Sequence, residues 1–496
     1  MHAYPPDGQR RLITVFTLAG AFMTQLDATI ANVALPHMQA STAASSEQIT
    51  WVLTSYIITT AIFTPLSGWL ASRFGRKRLY VASVAAFTVA SMLCGVAGNF
   101  EQLVLFRILQ GIGGAALLPM SQAILLDINP PHRHGSAMAT WGFGVIIGPI
   151  CGPLLGGWLT AAFNWRWVFF INLPCGLIVV LGLLAFLPAF EDENAPELDL
   201  PGFLMLATAI GAFQLMLDRG QLLDWFESRE IWFEALLAAT AFYMFVVHTL
   251  TTERPFVNLS IFRDRNFAVG SVFGFFLGGL MYSVMALTAP MLADLMHYPA
   301  VLVGMAMAPR GVGTLIMMPI VGHLMSRSDP RVLIVVGMVV CGLSTAMMSG
   351  FSLQMDAWAV ELAGFVQGVG AAFLFVPVTT VIFATIPPHL RNQGTAMNSL
   401  IRALGGSVWI SAMQSLTIRN AASVQSRLVE SARPDNPAMA LHWPDFDFSS
   451  AQAMIGLNGE VFRQAMMVSY TDSFWLLYVI SFALAPMVVL LRFRRT

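Results

Sequence analysis

Apolar runs of about twenty residues recur along almost the whole chain, separated by short polar segments. A helix of that length crosses a hydrocarbon core of about 30 Å. Fourteen such runs predict helices with approximate limits 12–35, 51–71, 79–98, 102–126, 136–161, 167–188, 201–218, 231–251, 267–292, 300–323, 332–353, 357–384, 396–417 and 471–492. The fifth contains GVIIGPICGPLLGG (144–157), in which Gly144, Gly148, Gly152 and Gly156 fall on roughly one helical face. Small residues at this spacing let a second helix backbone come close where lipid offers no hydrophobic gain for helix pairing. Pro149 and Pro153 each remove a backbone donor and can bend the helix. Such a face suits sliding or rocking against a neighbour, and taken alone it serves equally as a fixed packing face.

Composition turns these helices into membrane spans. Of 496 residues, 56% are hydrophobic and 11% charged, against about 25% charged in soluble domains. A net charge of −1 leaves no basic stripe of the kind that binds nucleic acid. Cys94, Cys151, Cys175 and Cys341 lie in apolar runs without paired spacing, so they indicate neither a disulfide framework nor a metal site. The first run follows Arg10 and Arg11, but it is too long for a signal segment, lacks a small-residue cleavage site and reads as retained. An even number of spans puts both termini on one side. That side's segments hold sixteen of the 26 cations, the opposite loops seven, and Arg107, Arg310 and Arg402 lie inside spans. The positive-inside rule then makes both termini cytoplasmic, and the acidic linker 191–199 weighs little against it. The polar stretch 418–470, which contains His442, Trp443, Pro444 and a run at 451–468 able to form amphipathic helices, is a solvated loop or a docking element.

The chain also repeats itself at an offset of about 254 to 259 residues. QGIGGAA at Gln110 answers QGVGAA at Gln367. PPH with GSAM at 130–138 answers PPH with GTAM at 387–397, and Pro65 with GWLASRFGRKR (68–78) answers Pro319 with GHLMSRSDPR (322–331). Three matches in one order imply two related six-helix halves, 1–190 and 256–496, with 191–255 holding a linker and inserted spans seven and eight. Repeats of this kind build transporters whose site lies between the halves near the midplane.

Several of these stretches resemble the major facilitator superfamily. GWLASRFGRKRL (68–79), with Gly68, Arg73, Gly75 and Arg76, is similar to its loop between spans two and three. LVLFRILQGIGGAALLP (103–119) is similar to its span-four signature, with Arg107 in the arginine position, and 144–157 matches its span-five antiporter motif. LDATIANVALP (26–36) and WRWVFFINLP (165–174) resemble signatures of the fourteen-span drug/proton antiporters, and MLDRGQLLDWF (216–226) resembles the EmrB-type branch. The resemblance implies an all-α membrane fold of fourteen transmembrane helices, two six-helix halves plus two inserted helices. It further implies proton-coupled efflux of lipophilic compounds from a bacterial inner membrane, with no cofactor beyond the proton-motive force. An EmrA-type periplasmic adaptor and a TolC-like outer-membrane channel are the implied partners. The loop departs from the family where its usual Asp is Ser72, so gating is expected to rest on Arg73, Arg76 and other partners.

The polar residues inside spans carry the candidate chemistry. Asp27 sits in span one, where an ionised carboxylate costs about 2.5–3.5 kcal/mol on insertion scales. Desolvation favours its protonated form, so it could alternate between the two as water reaches it; it could also be a packing residue hydrogen-bonded to neighbours. Arg107 keeps its proton and offers a fixed positive charge, a gate, or a structural partner for backbone carbonyls. With Glu361 these two form the proton-coupling set. Gln25, Asn32, Gln110, Arg310, Gln367, Asn398 and Arg402 are the candidates for the cavity, although amides in membrane helices commonly serve as packing glue and Arg402 could snorkel. Trp165, Arg166 and Trp167 read as an interfacial belt. The 29 Met and 36 Phe give soft walls that suit unlike ligands. No Walker A sequence points to ATP coupling, and no H-E-x-x-H or suitably placed G-x-S-x-G points to an enzyme.

Overall fold

The computed structural model describes residues 4–188, 197–433, 436 and 446–491, and these hold helices and turns without a strand. Parts of the acidic linker, the tip of the 418–470 stretch with His442, Trp443 and Pro444, and Arg492, Arg494 and Arg495 lie outside the described residues. Fourteen long helices occupy the predicted runs. They are α1 (Asp7–Thr42), α2 (Trp51–Phe74), α3 (Arg76–Val96), α4 (Phe100–Ile128), α5 (His134–Ala162), α6 (Trp167–Phe186) and α7 (Leu200–Arg219). The rest are α8 (Arg229–Thr251), α9 (Arg265–Pro290), α10 (Ala300–Leu324), α11 (Pro330–Met348), α12 (Ala357–Ala384), α13 (Arg391–Ser431) and α14 (Ala451–Ala483). Twelve are long and apolar enough to cross a membrane by length and composition. The other two, α2 and α13, carry more hydroxyl and amide side chains, and they pack on each other.

Local chemistry sets the helix ends. Asn99 accepts from Gln102 N at 2.9 Å to start α4, Asp264 accepts from Phe267 N at 2.9 Å to start α9, and Asp329 with Pro330 starts α11. These side chains satisfy backbone donors that have no partner within the helix. Gly75 joins α2 to α3 at φ 82°, a conformation that costs a Cβ-bearing residue and suits glycine.

In the first half α1 packs along α5 and α3 along α4; in the second α9 packs along α13, and α12 along both α10 and α11. The halves meet through α5 against α10 and α2 against α13. Helix α7 lies in the groove over α2 and α13, with α8 against it. The insertion therefore sits along the seam between the halves and not between them.

The 418–470 stretch is largely helical. Helix α13 has 41 residues and α14 has 33, about 61 and 50 Å at 1.5 Å per residue, well beyond a 30 Å core. Their excess length projects as an antiparallel hairpin on the face away from the termini. Thr417 with Ser473 at 2.8 Å, Asn420 with Asp472 at 2.7 Å and Gln425 with Asn458 at 3.2 Å join its arms.

Candidate functional site

A charge network is sealed inside the first half. Arg107 Nη1 donates to Asp27 Oδ2 at 2.6 Å and to Gln110 Oε1 at 2.8 Å, and Gln110 Nε2 donates to Asp27 Oδ1 at 2.8 Å. Asp27, Arg107 and Gln110 are each 0% exposed. Asn172 Nδ2 reaches Asp27 Oδ1 at 3.4 Å and Ser91 Oγ at 2.9 Å. Helix α2 closes the remaining side: Arg107 Nε donates to Val52 O at 2.9 Å and the guanidinium lies 4.2 Å from the Tyr56 ring centroid. Five helices, α1 to α4 and α6, thus converge on one ion pair. Two buried charges hold together only with such geometry, because leaving either alone costs several kcal/mol.

The glycine face of α5 holds α1, and with it Asp27, in place. A Cβ at Gly148 would lie 2.6 Å from Gln25 Cβ and 2.8 Å from Leu26 N. Gly152 meets Thr29, Gly156 meets Ile30 and Gly144 meets Leu18 in the same register. The face is therefore an intra-half seam, and Gln25 is half-buried within it. Both Pro149 and Pro153 lie inside α5, and the side chain of Pro153 lies outside the described residues. On another side α5 touches the second half, where Gly311 takes Ile150 and the Trp141 ring stacks on Phe375 at 5.5 Å.

At the face carrying the termini the halves are latched. Asp127, at the end of α4, pairs with Arg76 and accepts from Arg391 Nη1 at 2.9 Å. Arg76 Nε donates to Asn392 Oδ1 at 2.6 Å, and Asn392 Nδ2 donates to Ser72 Oγ at 3.4 Å. Gly68 lets Asn392 O come within 3.2 Å of its Cβ direction, and Gly135 and Gly322 seat α5 against α10 at the same level. The carboxylate absent at Ser72 is thus supplied by Asp127, which the sequence pattern did not single out. Arg73 is exposed, and Arg76 engages the second half. This end is closed.

The second half settles its charges differently. Pro290 answers Pro36 as Pro319 answers Pro65, which aligns Met281 with Asp27 and Arg310 with Tyr56. Arg310 Nη2 donates to Met281 O at 2.5 Å, and neither Arg310 nor Arg402 meets a carboxylate among the described residues. Arg402 lies 5.5 Å from the Trp141 centroid and 5.6 Å from that of Phe375, across the interface between the halves. Gln367 is 1% exposed with both amide atoms unpartnered, and Asn398 Oδ1 is unpartnered too. Glu361 is half-buried near the start of α12 and Asn32 is exposed on α1. Trp165 is buried at 6% exposed instead of lying in an interfacial belt, and Arg166 caps α3 by donating to Gly95 O and Ala97 O.

Two six-helix halves with a latched end and a buried ion pair are the architecture of a membrane transporter. The chain belongs to the major facilitator superfamily, whose family model matches residues 17–410. It is a multi-pass membrane transporter and not an enzyme. It is 35% identical over 480 residues to the multidrug export protein EmrB of Escherichia coli (strain K12), covering 95% of this chain and 93% of that one. It is 33% identical over 492 residues to the fatty acid resistance protein FarB of Neisseria gonorrhoeae, covering 98% and 97%. Among solved structures, the human organic anion transporter MFSD10 superposes with a TM-score of 0.63 at 14% identity over 96% of this chain and all of that one. The proton:xylose symporter XylE superposes at 0.61 with 15% identity over 96% of each chain. At these identities the two structures show the shared fold.

Proposed function

We propose that the protein is a proton-driven exporter of unlike lipophilic compounds in a bacterial inner membrane. The observation that carries this is the Asp27–Arg107 pair, wholly buried at the meeting point of five spans. A carboxylate whose one charged partner is Arg107, with only the neutral amides of Gln110 and Asn172 beside it, is a proton site: protonation removes its charge, breaks the pair and frees Arg107 to leave Val52 and Tyr56. The change passes along α1 to the glycine face of α5, and α5 reaches the second half through Ile150 and Trp141. The cationic face carrying the termini is cytoplasmic by the positive-inside rule, so the latched end is the cytoplasmic one. Each proton entering down 100 mV yields about 2.3 kcal/mol, enough for well over a tenfold gradient of an uncharged cargo.

The two relatives export drugs and confer resistance to fatty acids, as their names state. Arg310 and Arg402, which meet no carboxylate among the described residues, add acidic lipophiles to that cargo range. The α13–α14 hairpin offers the surface for a periplasmic adaptor that leads on to an outer-membrane channel. Shortening the hairpin is expected to abolish co-purification with such an adaptor while leaving transport in liposomes intact.

The test is compound-driven proton movement in proteoliposomes under an imposed pH gradient. Several unrelated lipophilic compounds are expected to dissipate the gradient through the wild type, and Asp27→Asn to be silent though folded. Equal activity of the variant overturns the coupling assignment. A response to one compound class alone replaces multidrug efflux by transport of a dedicated metabolite.

A further inference from the structure

The inserted helix α7 ties the two halves together near the outer face. Towards the second half, Gln214 Nε2 donates to Ser407 Oγ at 2.8 Å and Leu217 O accepts from Ser411 Oγ at 2.9 Å, both on α13. Towards the first half, Asp218 Oδ2 accepts from Thr54 Oγ1 of α2 at 2.5 Å. These ties fall within one helical turn or so of α7 and sit at the end opposite the Asp127 latch.

The stretch of α2 that Asp218 grips is the one that seals the buried ion pair. Val52 and Tyr56, four residues apart and so on one helical face, touch Arg107. Thr54 lies about 200° round the helix from both and faces Asp218. Any rotation or tilt of α2 that follows from release of Arg107 is therefore felt at the Thr54–Asp218 bond. Accessibility separates the two carboxylates: Asp218 is exposed, whereas Asp27 is 0% exposed. The charged neighbours of Asp218 are Arg219 beside it, itself paired with Glu230 of α8, and Glu234 of α8 near Arg219. From α2 it faces the Thr54 hydroxyl, and α13 brings Ser407 and Ser411 to its helix.

We propose that Asp218 is the clasp that couples the insertion to the proton cycle: ionised, it fastens α2 to α13 through α7 and holds the outer ends of the two halves in their present arrangement; protonated from outside, it releases α2 to move. A hydroxyl bonded to a carboxylate is about twice as strong as the same bond to a neutral acid. The fastening is complete when the outer solution is alkaline and is lost as outer pH falls through the titration of Asp218. Asp218 acts on the reaction through α2 and is a positioning residue. This inference rests on the reading of the protein as a proton-driven exporter.

The experiment measures export of a fluorescent lipophilic compound from liposomes holding the full chain, as outer pH is raised at constant pH difference, for wild type, Asp218→Asn, Thr54→Val and Asp27→Asn. Wild-type rate is expected to decline towards alkaline outer pH. Asp218→Asn, which keeps only a neutral hydrogen bond, is expected to lose that decline and to run about fivefold faster than wild type at the alkaline end, the difference between a charge-assisted and a neutral bond. Thr54→Val is expected to flatten the profile in the same way. A profile of Asp218→Asn that superposes on wild type overturns the clasp, and if Asp27→Asn is silent in that experiment the exporter reading survives. Loss of transport in Asp218→Asn with an unaltered Thr54→Val profile also overturns it. Full activity of Asp27→Asn overturns the exporter reading on which the clasp depends.

Discussion

In the first half a carboxylate and a guanidinium are sealed together with an amide on each side. In the second, Arg310 stands where Tyr56 stands in the first, and Gly364 occupies the place of Arg107 on the span that carries the repeated QG motif. The arginine has crossed to the facing helix, and the position equivalent to Asp27 is Met281, which offers a backbone carbonyl. Gln110 has its amide saturated by Asp27 and Arg107, whereas its repeat partner Gln367 has both amide atoms unpaired. The same twofold fold thus holds a buried ion pair on one side, with Arg107 Nη2 left unpartnered, and on the other two arginines that meet no carboxylate among the described residues beside the unpartnered amide atoms of Gln367. The two halves have thus diverged in how they place charge at equivalent positions.

The arginines offer the strongest way to break that comparison. Arg107→Met strands Asp27 without its partner and is expected to lower stability by about 3–5 kcal/mol. Arg310→Met gives up one carbonyl bond and is expected to cost no more than about 1.5 kcal/mol. Thermal unfolding of both variants in detergent measures the contrast, and equal costs would erase it.

A smaller effect sharpens the same point. Gln110→Leu leaves charged partners unsatisfied and is expected to cost about 2 kcal/mol, whereas Gln367→Leu removes two unpaired polar atoms and is expected to lie within about 0.5 kcal/mol of wild type. A large loss at Gln367 would mean that its amide is satisfied and that the second half is as closed as the first.

The smallest effect concerns the insertion. Asp199 caps α7 through Gly202 N at 3.0 Å and also accepts from Phe256 N at 2.9 Å and from His248 at 2.8 Å. Burial pushes its carboxyl up, but these bonds outweigh burial and hold it below the ordinary range for an aspartate. Because the folded value is the lower one, its contribution is complete above the unfolded value and is lost as pH falls through the folded one. Asp199→Ala is expected to cost about 1 kcal/mol at neutral pH and nothing in strong acid, as read by thermal unfolding at the two pH values.

The fold was legible in the sequence because span length, cation placement and the internal repeat are properties of the chain itself. Asp27, Arg107 and Gln110 were legible as polar residues inside apolar runs. That they meet within one half, and not across a central cavity, depends on which faces α1, α4 and α6 turn to one another, and the repeat alone does not set those faces. Asn172 was hidden inside WRWVFFINLP, where the tryptophans drew the reading towards an interfacial belt. Asp127 sits at the junction of an apolar run and PPH, where a carboxylate reads as solvated. Only the approach of Arg76 and Arg391 makes it the latch. The glycine face was read correctly as a close-contact surface, but its partner α1 could not be inferred from spacing. The helical hairpin of α13 and α14 was legible in part at 451–468. Its other arm carries no apolar period strong enough to continue α13 through a polar sequence.

The central claim is that Asp27 takes and releases the transported proton. Infrared difference spectroscopy of the reconstituted protein on a downward step in pH tests it directly. A protonated-carboxyl stretch is expected in the wild type, with a shift in heavy water, and its loss is expected in Asp27→Asn. The same band persisting in Asp27→Asn would place the proton on another residue and contradict the account.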